Sequence, residues 1–160
     1  MQKRLILDNI RSAYNVGAIF RSADAAGVEK IYLIGPTPTP VDRFGRIQKE
    51  IAKTSLGANK TVAWEHIGNA GSESIKEMLE LIQKLKVKGY TIVVVEQTSK
   101  SISFYDFEIP KKVVYVMGAE VEGVHKEVID IADIVLEIPM LGKKESLNVS
   151  VAAGIVLFKR

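Results

Sequence analysis

KVVYVMGAEVEGVHKEVIDIADIVLEIP, residues 112–139, is the stretch whose reading decides the fold. KVVYVMG (112–118) is a nearly unbroken apolar run, as expected of a strand covered on both faces. GAEVEGV (118–124) turns the chain, with Gly118 and Gly123 suited to a bend close to another group. VHKEVIDIA (124–132) reads as a short helix and DIVLEIP (133–139) as the next strand. Strand, helix and strand in that order point to a parallel sheet.

The same alternation holds outward from this unit. RLILDN (4–9), KIYLIG (30–35), VAWEHI (62–67) and YTIVVVEQ (90–97) read as strands. VGAIFRSADAAG (16–27) reads as a helix, with Asn15 as N-cap and Gly27 as its stop. SESIKEMLELIQKLKVKG (72–89) is the clearest helix. Ile75, Met78, Leu79, Ile82 and Leu85 fall on one face, and Gly89 ends it. PTPTP (36–40) suits neither a regular helix nor a central strand, because each proline lacks an N–H donor. It opens a long polar segment, 36–60, carrying Arg43, Arg46, Lys49 and Lys53. A last helix runs from about 147 to the end, with Ser146 as its cap and Asn148 inside the first turn. Residues 149–158 are nearly all apolar or small, so that helix is expected to be buried on most sides. The expectation is one α/β domain over 1–160, a mostly parallel sheet with helices on both faces. Such sheets bind ligands at the carboxyl ends of their strands, which singles out the loops after Gln97, Met117 and Ile138.

Composition removes several kinds of chemistry. The chain has no cysteine, so disulfides, thiolate metal sites and thiol nucleophiles are excluded. His66 and His125 are far apart in sequence and read as ordinary surface or boundary residues, so no metal is expected. The N-terminal apolar run is too short for a signal peptide, and nothing approaches a membrane span. A cytoplasmic protein is expected. Charge is uneven: residues 1–60 hold ten Lys/Arg against five Asp/Glu, and the remainder is net acidic. The basic half suits either an anionic partner such as nucleic acid or a plain solvated surface.

Three stretches carry candidate chemistry. GAEVEGV is neither a dinucleotide fingerprint nor a P-loop, and Glu120 and Glu122 disfavour phosphate there. In DNIRSAYNVGAIFRSADAAG (8–27), Arg11 and Arg21 offer guanidinium forks that grip phosphate. Arg21 is also placed to pair with Asp24 at i+3. In SLNVS (146–150), capping accounts for Ser146. A buried Asn148 would need several hydrogen-bond partners, which capping does not supply.

NIRSAYNVGAIFRSA (9–23), VYVMGAEVEGV (114–124) and IPMLGKKESLNVSVAAGI (138–155), in this order, resemble the three motifs of the SPOUT-class RNA 2′-O-ribose methyltransferases of the TrmH/SpoU type. The resemblance covers nearly the whole chain. It implies a C-terminal trefoil knot, against the general rule that chains do not thread loops. It implies S-adenosylmethionine bound in the knot, and a homodimer in which the first-motif arginine reaches toward the partner's cofactor. Carried onto this chain, the catalytic set is Asn15, Arg21, Glu120, Ser146 and Asn148. Cofactor contacts fall on Glu96, Gln97, Gly118, Ile138, Met140 and Leu147, and RNA contacts on Arg11 and Arg21. Ala119 stands where many relatives have Asn or Ser, which removes one polar contact. Many relatives carry an added RNA-binding domain, and none is expected here. The family proposes the arginine as the base. A guanidinium keeps its proton in water, which favours phosphate holding and alkoxide stabilisation instead. The implied substrate is RNA, with tRNA preferred, rRNA as the alternative, and a non-enzymatic RNA-binding dimer as the competing reading.

Overall fold

The computed structural model describes residues 1–69 and 72–160. The elements in chain order are β1 (Gln2–Asp8), α1 (Ala13–Ala25), β2 (Val28–Ile34), α2 (Lys49–Ser55), α3 (Ala58–Thr61) and β3 (Ala63–Ile67). They continue with α4 (Ser72–Val87), β4 (Thr91–Val95), β5 (Ile102–Ser103), β6 (Lys112–Gly118), α5 (Lys126–Ile131), β7 (Ile134–Glu137) and α6 (Val149–Leu157). The strands form one sheet in the order β3-β2-β1-β6-β4-β7-β5, and every pairing between them is parallel. Antiparallel pairing among the described residues is confined to two isolated bridges, Val41 with Ile47 and Ala119 with Gly123.

The period of two along each strand sorts its side chains into two cores. Leu5, Leu7, Leu33, Val93, Tyr115 and Met117 face α1, α2, α3 and α6. Ile6, Ile34, Ile92, Val94, Val114 and Val116 face α4 and α5. Both faces are covered, so the central strands carry apolar residues at consecutive positions. That is the pattern read in 112–118.

Several boundaries differ from the sequence expectation. Helix α1 starts at Ala13, capped by Ser12, whose side chain accepts from the Asn15 amide at 3.2 Å. Asn15 is therefore not the cap, and its side chain is free for other work. Asn148, not Ser146, caps α6, accepting from Ser150 N at 2.9 Å. The segment 36–60 holds α2 and most of α3, which the sequence reading missed. Few of their residues are buried (Ile51, Ser55 and Ala58), too few to show a period. Strand β5 has two residues, below what pattern can detect. Nor is α6 buried on most sides. Val149, Ala153, Val156 and Leu157 are inside, while Val151 is 49% and Phe158 is 53% exposed.

Helix α2 lies hard against α1 at Gly17, where a Cβ would sit 2.8 Å from the Ile51 carbonyl oxygen. Because all strands run the same way, their carboxyl ends share one edge. Asp8 at the end of β1 is level with Ile34 of β2 and Gly118 of β6. Among the described residues, no helix is long and apolar enough to cross a membrane.

Candidate active site

Three residues distant in sequence meet at this edge. Asn15, buried in the first turn of α1, donates from Nδ2 to Glu120 Oε1 at 2.6 Å. Asn148 Nδ2 donates to Asn15 Oδ1 at 3.2 Å and reaches Glu120 Oε1 at 3.4 Å. Asn148 Oδ1 accepts from both the amide (2.9 Å) and the hydroxyl (2.6 Å) of Ser150. Both ends of each amide are thus engaged, which fixes their orientation. Asn148 is exposed rather than buried, so desolvation is not what demands its partners.

The turn carrying Glu120 is held from below. Asp8 is fully buried and accepts from His125 N at 3.1 Å and from His125 Nδ1 at 2.7 Å. His125 is a boundary residue, as the sequence suggested, and it also fastens this turn. A lone carboxylate inside RLILDN was the available signal for Asp8. Glu96 Oε2 accepts from Val124 N at 3.2 Å and Oε1 from Gln97 N at 2.9 Å, which ties the β4 loop to the same turn. Gly118 permits the close approach, since a Cβ there would overlap the backbone of Gly123 and Val124. Arg11 lies beside this turn, 3.9 Å from Glu122, with both side chains largely exposed, so the pair is weak.

Beside the cluster, β4, β7 and the segment after each enclose a hollow of about 140 Å³. Glu96, Gln97, Ile138, Met140, Ser146 and Leu147 line it together with Val95, Leu136 and Ala152. A second hollow of about 610 Å³ adjoins it, sharing Gln97, Glu137, Ile138 and Met140. Gln97 Nε2 donates to Glu145 O at 3.0 Å, linking the β4 loop to the 138–147 loop. S-Adenosylmethionine has a flat purine and a sulfonium cation. Apolar lining from Val95, Leu136, Ile138, Met140 and Ala152, with Glu96 and Glu137 also in the lining, fits both parts. Ser146 belongs to this cleft and makes no bond to the Asn15–Glu120–Asn148 cluster. Among the described residues, no group of three or more His, Asp or Glu is placed to hold a metal ion.

Arg21 lies elsewhere. It and Asn15 are six residues apart, so they leave α1 on faces about 120° apart. Arg21 is exposed in a separate hollow of about 570 Å³, bounded by Tyr14, Ala18, Lys53, Leu56 and Phe158. The expected partner Asp24 instead accepts from Thr61 Oγ1 at 2.6 Å. Among the described residues Arg21 makes no ion pair. A single chain therefore unites Asn15, Glu120 and Asn148 beside a cleft and leaves Arg21 outside both.

A wholly parallel sheet with a polar cluster and a cleft at its carboxyl edge defines an α/β ligand-binding fold. Comparison with known proteins narrows this class. The chain belongs to the SpoU rRNA Methylase family, whose profile matches residues 2–158. It is 34% identical to the tRNA (guanosine(18)-2′-O)-methyltransferase of Aquifex aeolicus, over 99% of this chain and 69% of that one. It is 33% identical to the 23S rRNA (guanosine-2′-O-)-methyltransferase RlmB of Ralstonia nicotianae, over 97% of this chain and 56% of that one. The AdoMet-bound rRNA methyltransferase from Sinorhizobium meliloti superposes with a TM-score of 0.80 at 28% identity, covering 98% of this chain and 54% of that one. The chain thus spans little more than half the length of several relatives.

Proposed function

We propose that this chain is an S-adenosylmethionine-dependent RNA methyltransferase that modifies a ribose 2′-hydroxyl and works as a cytoplasmic homodimer, with its C-terminal segment knotted. The observation that carries this reading is the hydrogen-bonded cluster of Asn15, Glu120 and Asn148 beside the cleft. The residues come from three segments of the chain, and they are joined where a parallel sheet presents its ligands. Family membership and the 2′-O-methyltransferase names of the relatives support the chemistry. The Aquifex relative, matched over most of both chains, favours tRNA; the Ralstonia relative keeps rRNA as the alternative.

S-Adenosylmethionine supplies the methyl group. The chain's residues do the rest. The cleft around Ile138, Met140 and Leu147 shields the donor from water. Asn15, Glu120 and Asn148 hold the turn and the start of α6 in one arrangement. The ribose hydroxyl is a poor nucleophile until its proton leaves, here to solvent water, so the developing oxyanion needs a fixed positive group. Arg21 is that group, and its paired donors also hold a neighbouring phosphate. Since Arg21 faces away from its own cluster, it serves the cleft of a second copy. The exposed apolar residues around it support that pairing: Tyr14 at 61%, Leu56 at 68% and Phe158 at 53%.

The test is transfer of labelled methyl from S-adenosylmethionine to separate tRNA and rRNA pools, followed by nuclease digestion. Label on a ribose in one pool, lost in Arg21→Ala, supports the reading and names the substrate class. Label on a base instead would overturn the 2′-hydroxyl assignment. No label and no cofactor binding would overturn the enzyme.

A further inference from the structure

The segment between β2 and α2 is not a slack connection. Residues 40–48 fold as a short hairpin. Val41 bridges Ile47, Asp42 N donates to Arg46 O at 2.9 Å, and Gln48 N donates to Pro40 O at 3.0 Å. Asp42 fastens the tip, where its Oδ1 accepts from Phe44 N at 2.8 Å and Arg46 N at 2.9 Å, and its Oδ2 from Arg46 Nε at 2.7 Å. The Arg46 backbone amide leads the interactions that hold the Asp42 carboxyl below its ordinary range. The base is fastened as well. Thr37, 2% exposed, donates to Ile34 O at 2.7 Å and accepts from Ile10 N at 3.1 Å.

This rigid tip displays a phenylalanine to solvent. Phe44 is 66% exposed, with Ile47 at 63% beside it. Two guanidiniums lie against the ring, Arg43 at 4.7 Å and Arg46 at 5.1 Å from its centroid. Arg46 is committed to Asp42, whereas Arg43 makes no ion pair among the described residues. Beyond the hairpin, Lys49 and Lys53 of α2 are at i and i+4, on one helix face, and Lys53 borders the hollow that holds Arg21. A basic track therefore runs from Phe44 along α2 to Arg21. The hairpin leaves β2 at the carboxyl edge that also carries Glu120.

We infer that the 40–48 hairpin is a finger that grips the substrate RNA outside the reaction centre, with Phe44 as a stacking platform for an unpaired base. Arg43 yields the ring to the base and holds the adjacent phosphate. Lys49 and Lys53 carry the backbone toward Arg21. An aromatic surface accepts any base, and a preformed tip loses little entropy on binding. The finger thus contributes affinity for a single-stranded or looped segment rather than sequence choice. It rests on the RNA methyltransferase reading given above.

The test compares Phe44→Leu, Phe44→Tyr and Arg43→Ala with the unaltered chain. The readouts are S-adenosylmethionine binding by calorimetry, methyl-transfer kinetics on the accepting RNA pool, and RNA binding across a salt series. Loss of base stacking in Phe44→Leu is expected to raise the RNA KM by roughly 5- to 150-fold, with kcat at saturating RNA and cofactor affinity unchanged. Phe44→Tyr keeps a stacking ring and stays close to the unaltered protein. Arg43→Ala lowers the slope of log K against log salt by about one. An unchanged KM in Phe44→Leu overturns the finger and leaves the enzyme reading standing. A loss shared equally by Phe44→Tyr, or accompanied by weaker cofactor binding, also overturns it. If the unaltered chain neither binds nor methylates RNA, the function on which the finger rests fails with it.

Discussion

Two inactive variants should restore one another. Arg21 is exposed and makes no ion pair among the described residues, so Arg21→Ala should change folding stability by less than about 0.5 kcal/mol. Asn148→Ala removes the cap of α6 and the donor to Asn15 Oδ1. Loss of a cap costs about 1 kcal/mol, or roughly 2–4 °C in Tm for a chain of this size. Both variants therefore stay folded. Arg21→Ala should lose about 10²-fold or more in kcat, the scale for removing one preorganised transition-state donor, and Asn148→Ala a comparable factor of about 10²-fold through misplacement of the Glu120 turn and the start of α6. In a dimer carrying one of each, the copy with Arg21→Ala keeps an intact cluster and receives Arg21 from its neighbour. The other site lacks both groups. Co-expression with two different affinity tags, and purification through both, isolates this heterodimer. One working site of two predicts about half the wild-type specific activity. A heterodimer no more active than either homodimer would refute completion of the site across copies. Glu120→Ala in place of Asn148→Ala repeats the test with α6 and its cap left in place.

Three further outcomes follow from the packing. Gly17→Ala should destabilise the chain by about 1–3 kcal/mol in urea denaturation, since the new methyl meets the Ile51 backbone as well as the Thr54 hydroxyl, which is itself bonded to Tyr14 O and Glu50 O. His125 N and Nδ1 both bond Asp8 Oδ2, and Nδ1 lies 2.9 Å from Oδ1, so Asp8→Asn removes the charge that both donors meet and sets an amide donor against the ring nitrogen. Urea denaturation should show a loss of about 1–3 kcal/mol, and methyl transfer should slow as the Glu120 turn loosens. Burial pushes the Tyr115 hydroxyl up to about 12, and no described group bonds to it. Its unfolded counterpart titrates near 10, so between about pH 10 and 12 only the unfolded chain gives up this proton. Stability should then fall by up to about 1.4 kcal/mol per pH unit over that window, and Tyr115→Phe should flatten the fall.

The sheet was legible because its central strands are buried on both faces. KVVYVMG and YTIVVVEQ show this as apolar runs, and the helix over 72–89 shows its buried face as a period. The helices of 49–61 were not legible. They are short and bury few residues, and what orders them is contact with α1 at Gly17, whose far side no local pattern records. Caps were misplaced by a few residues because Ser12, Asn15, Ser146 and Asn148 are all chemically able to cap, and only backbone geometry chooses between them.

The candidate site divides the same way. The sequence by itself supplied the chemistry: Asn15, Arg21, Glu120 and Asn148, set in motifs whose residue types and order identify a family. Only the tertiary structure decided who meets whom. Asn15 turned inward to Glu120 and Asn148 because the helix begins three residues earlier than its sequence suggested. Arg21 was left facing outward because six residues along a helix rotate a side chain about 120° away. His125 became a fastening for the Glu120 turn because a carboxylate more than a hundred residues away is buried beneath it. Spacing along a chain fixes rotation within one element. The joining of different elements depends on which buried surfaces pack, and that is a property of the whole fold.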